Sequence, residues 1–175
     1  VNEVFFEDVR VPADQLVGEE NQGWSYAKFL LGNERTGIAQ VGRTKVKLAD
    51  VKKRAAESGL LEDPLFAARV AEAENDLLAL ELTQMRVASG SKGGKPNPAS
   101  SVLKLRGSQL QQIATELLVE VAGPDALPFE AGDEIASPSW AQGSAPHYLN
   151  YRKTSIYGGS NEVQRTIIAS TILGL

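Results

Sequence analysis

After the first twenty residues, apolar positions recur every three to four residues along almost the whole chain, the period of helices with one buried face. From Trp24 to Ser58 the spacing runs unbroken, with Gly59 as its stop, and predicts a single helix roughly 50 Å long at 1.5 Å per residue. Asp63-Pro64 then supplies an N-cap acceptor and a first-turn proline. Behind it Phe66, Val70, Ala73, Leu77 and Leu80 form one stripe running to about Ser89. A Gly- and Pro-containing linker, 90–96, leads to a second such start at Asn97-Pro98. The helix expected there buries Leu103, Leu110, Ala114, Leu117 and Val121 and closes at Gly123-Pro124. Residues 125–143 read as a long irregular loop, followed by a short helix over His147 to Thr154 and a last one over Asn161 to Leu173. Only Val4 to Val11 departs from the helical period. Its weak alternation of β-branched and aromatic residues predicts a short strand ending at Pro12. The expected fold is therefore all-α, an up-and-down four-helix bundle with a short N-terminal strand segment and no internal repeat.

One polar residue conflicts with this pattern. At 100° per residue, Ala27, Leu30, Leu31, Ile38, Val41 and Leu48 share a broad face of the first helix, and Glu34 falls in its middle. An ionised carboxylate among apolar side chains costs several kcal/mol unless it is paired. Glu34 is thus either an edge residue paired with an arginine of another helix or a desolvated general base with a raised pKa. Gly32, Gly37 and Gly42 each weaken a helix by roughly 1 kcal/mol relative to Ala. Their presence in this helix implies that something approaches its backbone closely.

The stretch Ile156-Tyr-Gly-Gly-Ser-Asn-Glu-Val-Gln-Arg165 raises a second question. Gly158 and Gly159 suit a left-handed helix end, and Ser160 or Asn161 suits the cap of the next helix, so the turn reads as a plain corner. Alternatively, the glycines let a ligand touch the main chain while the N–H groups of the new helix face an anion or a carbonyl oxygen. The double glycine alone does not decide between them.

Composition narrows the chemistry. The chain has 175 residues, 42% of them apolar, enough for one domain with a real core. A net charge of -4 with interspersed signs argues against nucleic acid, which demands clustered Lys and Arg. With no cysteine and a single histidine, thiol nucleophiles, disulfides and most transition-metal sites are excluded. That histidine, His147, reads as an edge or structural residue, the pair Glu19-Glu20 as solvated, and Trp24 and Trp140 as core residues or as rings that stack on a cofactor. No apolar run approaches the ~20 residues of a membrane span, so a soluble cytoplasmic protein is expected. The abrupt start at Val1, without an initiating Met, points to a piece of a longer polypeptide.

Four motifs in order, Val4-Phe-Phe-Glu-Asp-Val-Arg-Val-Pro12, Gly18-Glu-Glu-Asn-Gln-Gly-Trp24, Glu34-Arg-Thr-Gly-Ile-Ala39 and Ile156 to Arg165 with Ile167-Ile168-Ala169, closely resemble acyl-CoA dehydrogenases. The resemblance spans almost the full chain. It implies that residues 1–20 are the tail of a middle β-domain and its linker, and 21–175 the C-terminal helical domain. It also implies an FAD enzyme that removes the α-proton of an acyl-CoA thioester while the β-hydrogen leaves as hydride. Many members carry the catalytic Glu directly after the tyrosine of the glycine turn, where this chain has Gly158. In the isovaleryl and long-chain types the base instead precedes the arginine of a Glu-Arg pair in the first helix, here Glu34. The resemblance therefore implies Glu34 as base, Arg35 as the arginine that supports the active site, and the Gly158 N–H as donor to the thioester oxygen. On a straight helix Arg35 points about 100° from Glu34, so its partner is expected elsewhere. Ser160, Asn161 and Glu162 correspond to the FAD-contacting stretch, and Tyr157 with Gly159 to the lining of the acyl-CoA pocket.

Two departures matter. The family's Arg-x-x-Phe-Gly element is replaced by Ala55 to Asp63, and its glycine-rich element after the third helix reads Val121 to Leu127. Both serve FAD across a subunit interface. Their change points toward a heteromeric assembly with a second, related subunit, so a homo- or hetero-oligomer, dimer or tetramer, is expected. The resemblance further implies an electron-transfer flavoprotein as acceptor, and neither nucleic acid nor membrane as partner. The competing expectation is a non-catalytic assembly subunit or helical interaction module that kept the fold without the chemistry.

Overall fold

A computed structural model of the chain describes residues 2–90, 97–128 and 137–175; side chains at 31–36 are outside the description. The expected linker beyond Gly90 and positions 129–136 of the long loop lie outside the described residues as well. Among the described residues six α-helices make up the frame: α1 (Gly23–Ile38), α2 (Val41–Glu57), α3 (Pro64–Gly90), α4 (Ser100–Ala122), α5 (Ser144–Tyr151) and α6 (Asn161–Ile168). Short 3-10 turns join several of them, and α6 runs on into a π-helical turn, Ala169–Leu173. Every other helix packs against α4, which is the axis of the bundle.

The helix starts follow the local chemistry read from the sequence. The Asp63 carboxylate accepts from the Leu65 N–H at 2.9 Å, and the Asn97 side-chain oxygen accepts from the Ala99 N–H at 3.0 Å. Gly123, at φ 53°, ends α4. The expected stripes also meet. Phe66, Val70, Ala73, Leu77 and Leu80 of α3 join Leu103, Leu110, Ala114 and Leu117 of α4 and Leu48, Val51 and Ala55 of α2 in one buried core. Val121 packs at its margin.

Two expectations fail. No strand forms over Val4–Val11, and its apolar side chains are exposed. A strand is a pairing, and among the described residues there is no second strand to pair with. The single helix from Trp24 to Ser58 is two helices, broken at Ala39 and Gln40, with Gln40 in the left-handed region at φ 47°. For a residue with a Cβ that conformation costs on the order of 1–2 kcal/mol, so something must impose it. The cause lies on α4. Ala39 is fully buried against Gly107, where a Cβ would fall 2.5 Å from the Ala39 Cα. The Gln111 side-chain amide donates to the Ile38 carbonyl at 3.1 Å, satisfying a helix-end acceptor.

The break also corrects the reading of the glycines. Outside their own stretch of helix no described atom lies within 4 Å of a Cβ built at Gly37 or Gly42, Gly32 lies outside the described side-chain positions, and the close approach seen is made by Gly107. Nor is Trp24 a core residue, being 70% exposed, whereas Trp140 is half-buried beneath the Arg54 guanidinium, 5.0 Å from its ring centre.

Candidate active site

The glycine turn is held by a seam of polar residues on α4. The 3-10 turn Arg152–Ser155 leads into it, and its hydrogen bonds to α4 are reciprocal. Gln112 Nε2 donates to the Arg152 carbonyl and to Thr154 Oγ1, each at 3.1 Å. Arg152 Nη2 donates back to the Gln112 carbonyl at 3.1 Å and to Thr115 Oγ1 at 3.2 Å. Thr154 and Thr115 are buried and Gln112 and Arg152 partly so, and the bonds fix the segment in two directions at once.

From that anchor the chain turns through Gly158 and Gly159, at φ 65° and 87°, a region that residues with a Cβ rarely adopt. Gly158 is also tight in space. A Cβ there would fall 2.8 Å from Cδ1 of Ile38, at the end of α1. The last helix starts where the sequence predicts, with Ser160 as N-cap accepting from the Val163 N–H at 3.3 Å. The plain-corner reading is thus correct for the backbone, and the corner is pressed against α1.

Beneath the start of α6 lies an ammonium group. Lys104 is 0% exposed, and its Nζ donates to Asn161 Oδ1 at 2.8 Å. Ser108 Oγ donates to the same oxygen at 3.0 Å. Burial pulls the Lys104 pKa below its ordinary value, and the Glu162 carboxylate partly offsets this. Glu162 lies in solvent, its pKa held down by hydrogen bonds from its own backbone amide and the Ser160 hydroxyl, with Arg165 and Lys104 adding to the effect. Tyr157 is partly exposed; burial, then Tyr151, pushes its phenol pKa up.

The expected site residues therefore divide. Tyr157, Gly158, Gly159, Ser160, Asn161 and Glu162 form one continuous surface-to-core turn. Glu34 and Arg35 belong to α1 by backbone, while their side chains lie outside the described residues. Position 34 stands one helical turn before Ile38, the residue that meets Gly158. Sequence reasoning missed Lys104, Ser108, Gln112 and Thr115. Their signal was available as a second, polar stripe at helical spacing on α4, running beside the apolar one.

His147 is not isolated. It bridges α2 and α5, with Nε2 2.5 Å from Lys47 Nζ and its ring 4.3 Å from that of Tyr151. Burial, then the Lys47 charge, holds its pKa below 6.5; burial alone lowers that of Lys47. Among the described residues no group of His, Asp or Glu is arranged to hold a metal ion, and no helix is long and apolar enough to cross a membrane.

With this geometry in hand, comparison with known proteins is informative. A family model described as "Acyl-CoA dehydrogenase, C-terminal domain" matches residues 21–173. Acyl-CoA dehydrogenase IpdE1 of Mycobacterium tuberculosis is 33% identical over 99% of this chain and 44% of its own length. The Mycolicibacterium smegmatis protein of the same name is also 33% identical, over 99% of this chain and 42% of its own. The chain thus spans less than half the length of these relatives. Among solved structures, the Tcur3481-Tcur3483 steroid ACAD superposes with a TM-score of 0.78 at 25% identity, covering 98% of this chain and 44% of that one. The ChsE4-ChsE5 complex from Mycobacterium tuberculosis gives 0.73 at 28% identity, over 98% and 45%.

Proposed function

Since the chain belongs to the acyl-CoA dehydrogenase family through its C-terminal domain, we propose that it is the helical part of an enzyme that dehydrogenates an acyl-CoA thioester, with Glu34 as the α-proton base. On this reading residues 1–20 are the tail of a preceding domain, and 21–175 carry one wall of the active site. The observation that carries the assignment is the contact between Gly158 and Ile38. It sets the turn beside α1, one helical turn from Glu34, and an added side chain at 158 would press on the end of the Ile38 side chain while its φ of 65° disfavours any residue with a Cβ. A base donated by α1 and a glycine at 158 are then parts of one arrangement. The Gly158 N–H is the donor assigned to the thioester oxygen, where it stabilises the charge that develops as the proton leaves. Arg35 supports the active site through a partner elsewhere in the bundle.

FAD fits part of this surface. The turn amides lie at the electropositive start of α6, whereas the Ser160 hydroxyl is engaged by Glu162 and the Val163 N–H, and the Asn161 oxygen is turned inward to Lys104 and Ser108 and acts from below. When bound, FAD supplies the hydride acceptor; this chain's residues orient the thioester and hold the proton. An electron-transfer flavoprotein is the acceptor we assign to the reduced flavin.

The test uses the full-length protein, purified with its flavin and any partner and mixed anaerobically with a panel of acyl-CoA esters. Flavin bleaching should occur in the wild type. In Glu34→Gln it should vanish while FAD and acyl-CoA still bind. Equal bleaching in the variant would refute Glu34 as base. A second reading, that of an assembly subunit, draws support from the altered elements at Ala55 to Asp63 and Val121 to Leu127, and from two structural neighbours that each name a pair of polypeptides. Its signature is a protein that co-purifies with a related subunit and binds neither flavin nor acyl-CoA.

A further inference from the structure

Lys104 is a fully buried ammonium tied to α6 by its hydrogen bond to Asn161. No ion pair to it forms among the described residues, and Glu162, the carboxylate that influences it, is exposed and sits 3.5 Å from Arg165. Taking an ammonium out of water costs several kcal/mol, and replacing such a group with an apolar residue of similar volume is often neutral or stabilising. The placement is also unfavourable to the helix above it. The N-terminus of α6 carries a partial positive charge of its own, and a cation beneath it adds to that potential instead of offsetting it. Glu162 in the first turn of α6 offsets part of both costs, and further negative charge at the turn would convert them into a gain. The tether runs from Lys104 Nζ through Asn161 Oδ1 to the residue that directly follows Ser160, so charge and geometry act on the same few amides.

We infer that Lys104 is a positioning residue whose ammonium, acting through Asn161, biases the Gly158–Ser160 turn toward the enolate-like form of a bound thioester over its neutral form. This deepens the functional reading given above and rests on it. A purely structural lysine would affect both forms of the ligand alike.

A β-ketoacyl-CoA distinguishes these cases without any turnover, because its acidic α-proton leaves by simple ionisation and the enolate absorbs in the ultraviolet. The full-length protein with its flavin is titrated with acetoacetyl-CoA across pH, and affinities for the keto and enolate forms are separated. Wild type should lower the apparent pKa of the bound ligand. Lys104→Met should raise it again, weakening enolate binding at least tenfold with keto binding nearly unchanged. Lys104→Gln keeps a donor for Asn161 without the charge and should behave like Met, while Lys104→Arg should recover most of the effect. Thermal unfolding of each variant establishes that it is folded. If Met and Gln variants retain the wild-type ligand pKa, the inference falls while the functional reading stands. If the wild type binds no β-ketoacyl-CoA in either form, both fall.

Discussion

Toward α2 and α3, helix α4 contributes Leu103, Leu110, Ala114 and Leu117; toward α5 and α6 it contributes Lys104, Ser108, Gln112 and Thr115. The first seam is held by burial of apolar area, which is large in sum and indifferent to direction. The second is held by hydrogen bonds, each modest in net energy but demanding in distance and angle. The contrast separates stability from geometry. A bundle needs the apolar seam to exist at all, whereas the glycine turn needs the polar seam to sit in one place. A change in the apolar seam should therefore cost stability out of proportion to its effect on the site, and a change in the polar seam the reverse, as the Lys104 variants test directly.

The largest effect is expected at Phe66, the bulkiest side chain of the apolar seam and 1% exposed. Phe66→Ala should destabilise the protein by about 3–5 kcal/mol, since a cavity remains where the ring packed. Urea unfolding measures it, and a loss below about 1 kcal/mol would mean that α3 is far less integral to the core than its burial implies.

Gly107→Ala probes the joint between the two seams. Its new Cβ would meet backbone, not a flexible side-chain end, so α1 or α4 must shift at a cost of about 1–3 kcal/mol. Because Ala39 adjoins Ile38, that shift should also move the contact with Gly158. A variant that loses stability but leaves the Ile38–Gly158 contact unchanged in a crystal structure would break the proposed link between them.

The smallest effect concerns pH and lies at the α2–α5 contact. Burial and Lys47 keep His147 less basic in the folded chain than in the unfolded one, and the groups facing it are Lys47 and Tyr151. The unfolded state therefore binds more protons below the ordinary value of 6.5. The stability contributed by neutral His147 is present above that value and is lost as pH falls through the lower folded pKa. His147→Gln should flatten this decline in urea midpoints between about pH 7 and 5, and an unchanged slope would assign the decline to other groups.

Much of this architecture was legible along the chain. The α3 stripe, the caps at Asp63 and Asn97, the stop at Gly123 and the corner at Gly158 to Ser160 all rest on interactions within a few residues, which spacing and residue type report directly. The strand expected at Val4–Val11 failed because alternation describes only one partner of a pairing. The split at Ala39 and Gln40 was missed because both halves have good helical spacing and the interruption comes from Gly107 and Gln111, some seventy residues away.

The candidate site shows the same division. The sequence by itself determined an all-helical bundle, its main buried faces, and a glycine turn feeding a capped helix, since each is a local consequence of period, propensity and capping. Only the tertiary structure decided that the turn rests on a buried ammonium, that Gly158 meets α1 beside Ile38, and that α1 ends where it does. Those facts are distances between residues remote along the chain, and they are set by how the helices pack around α4.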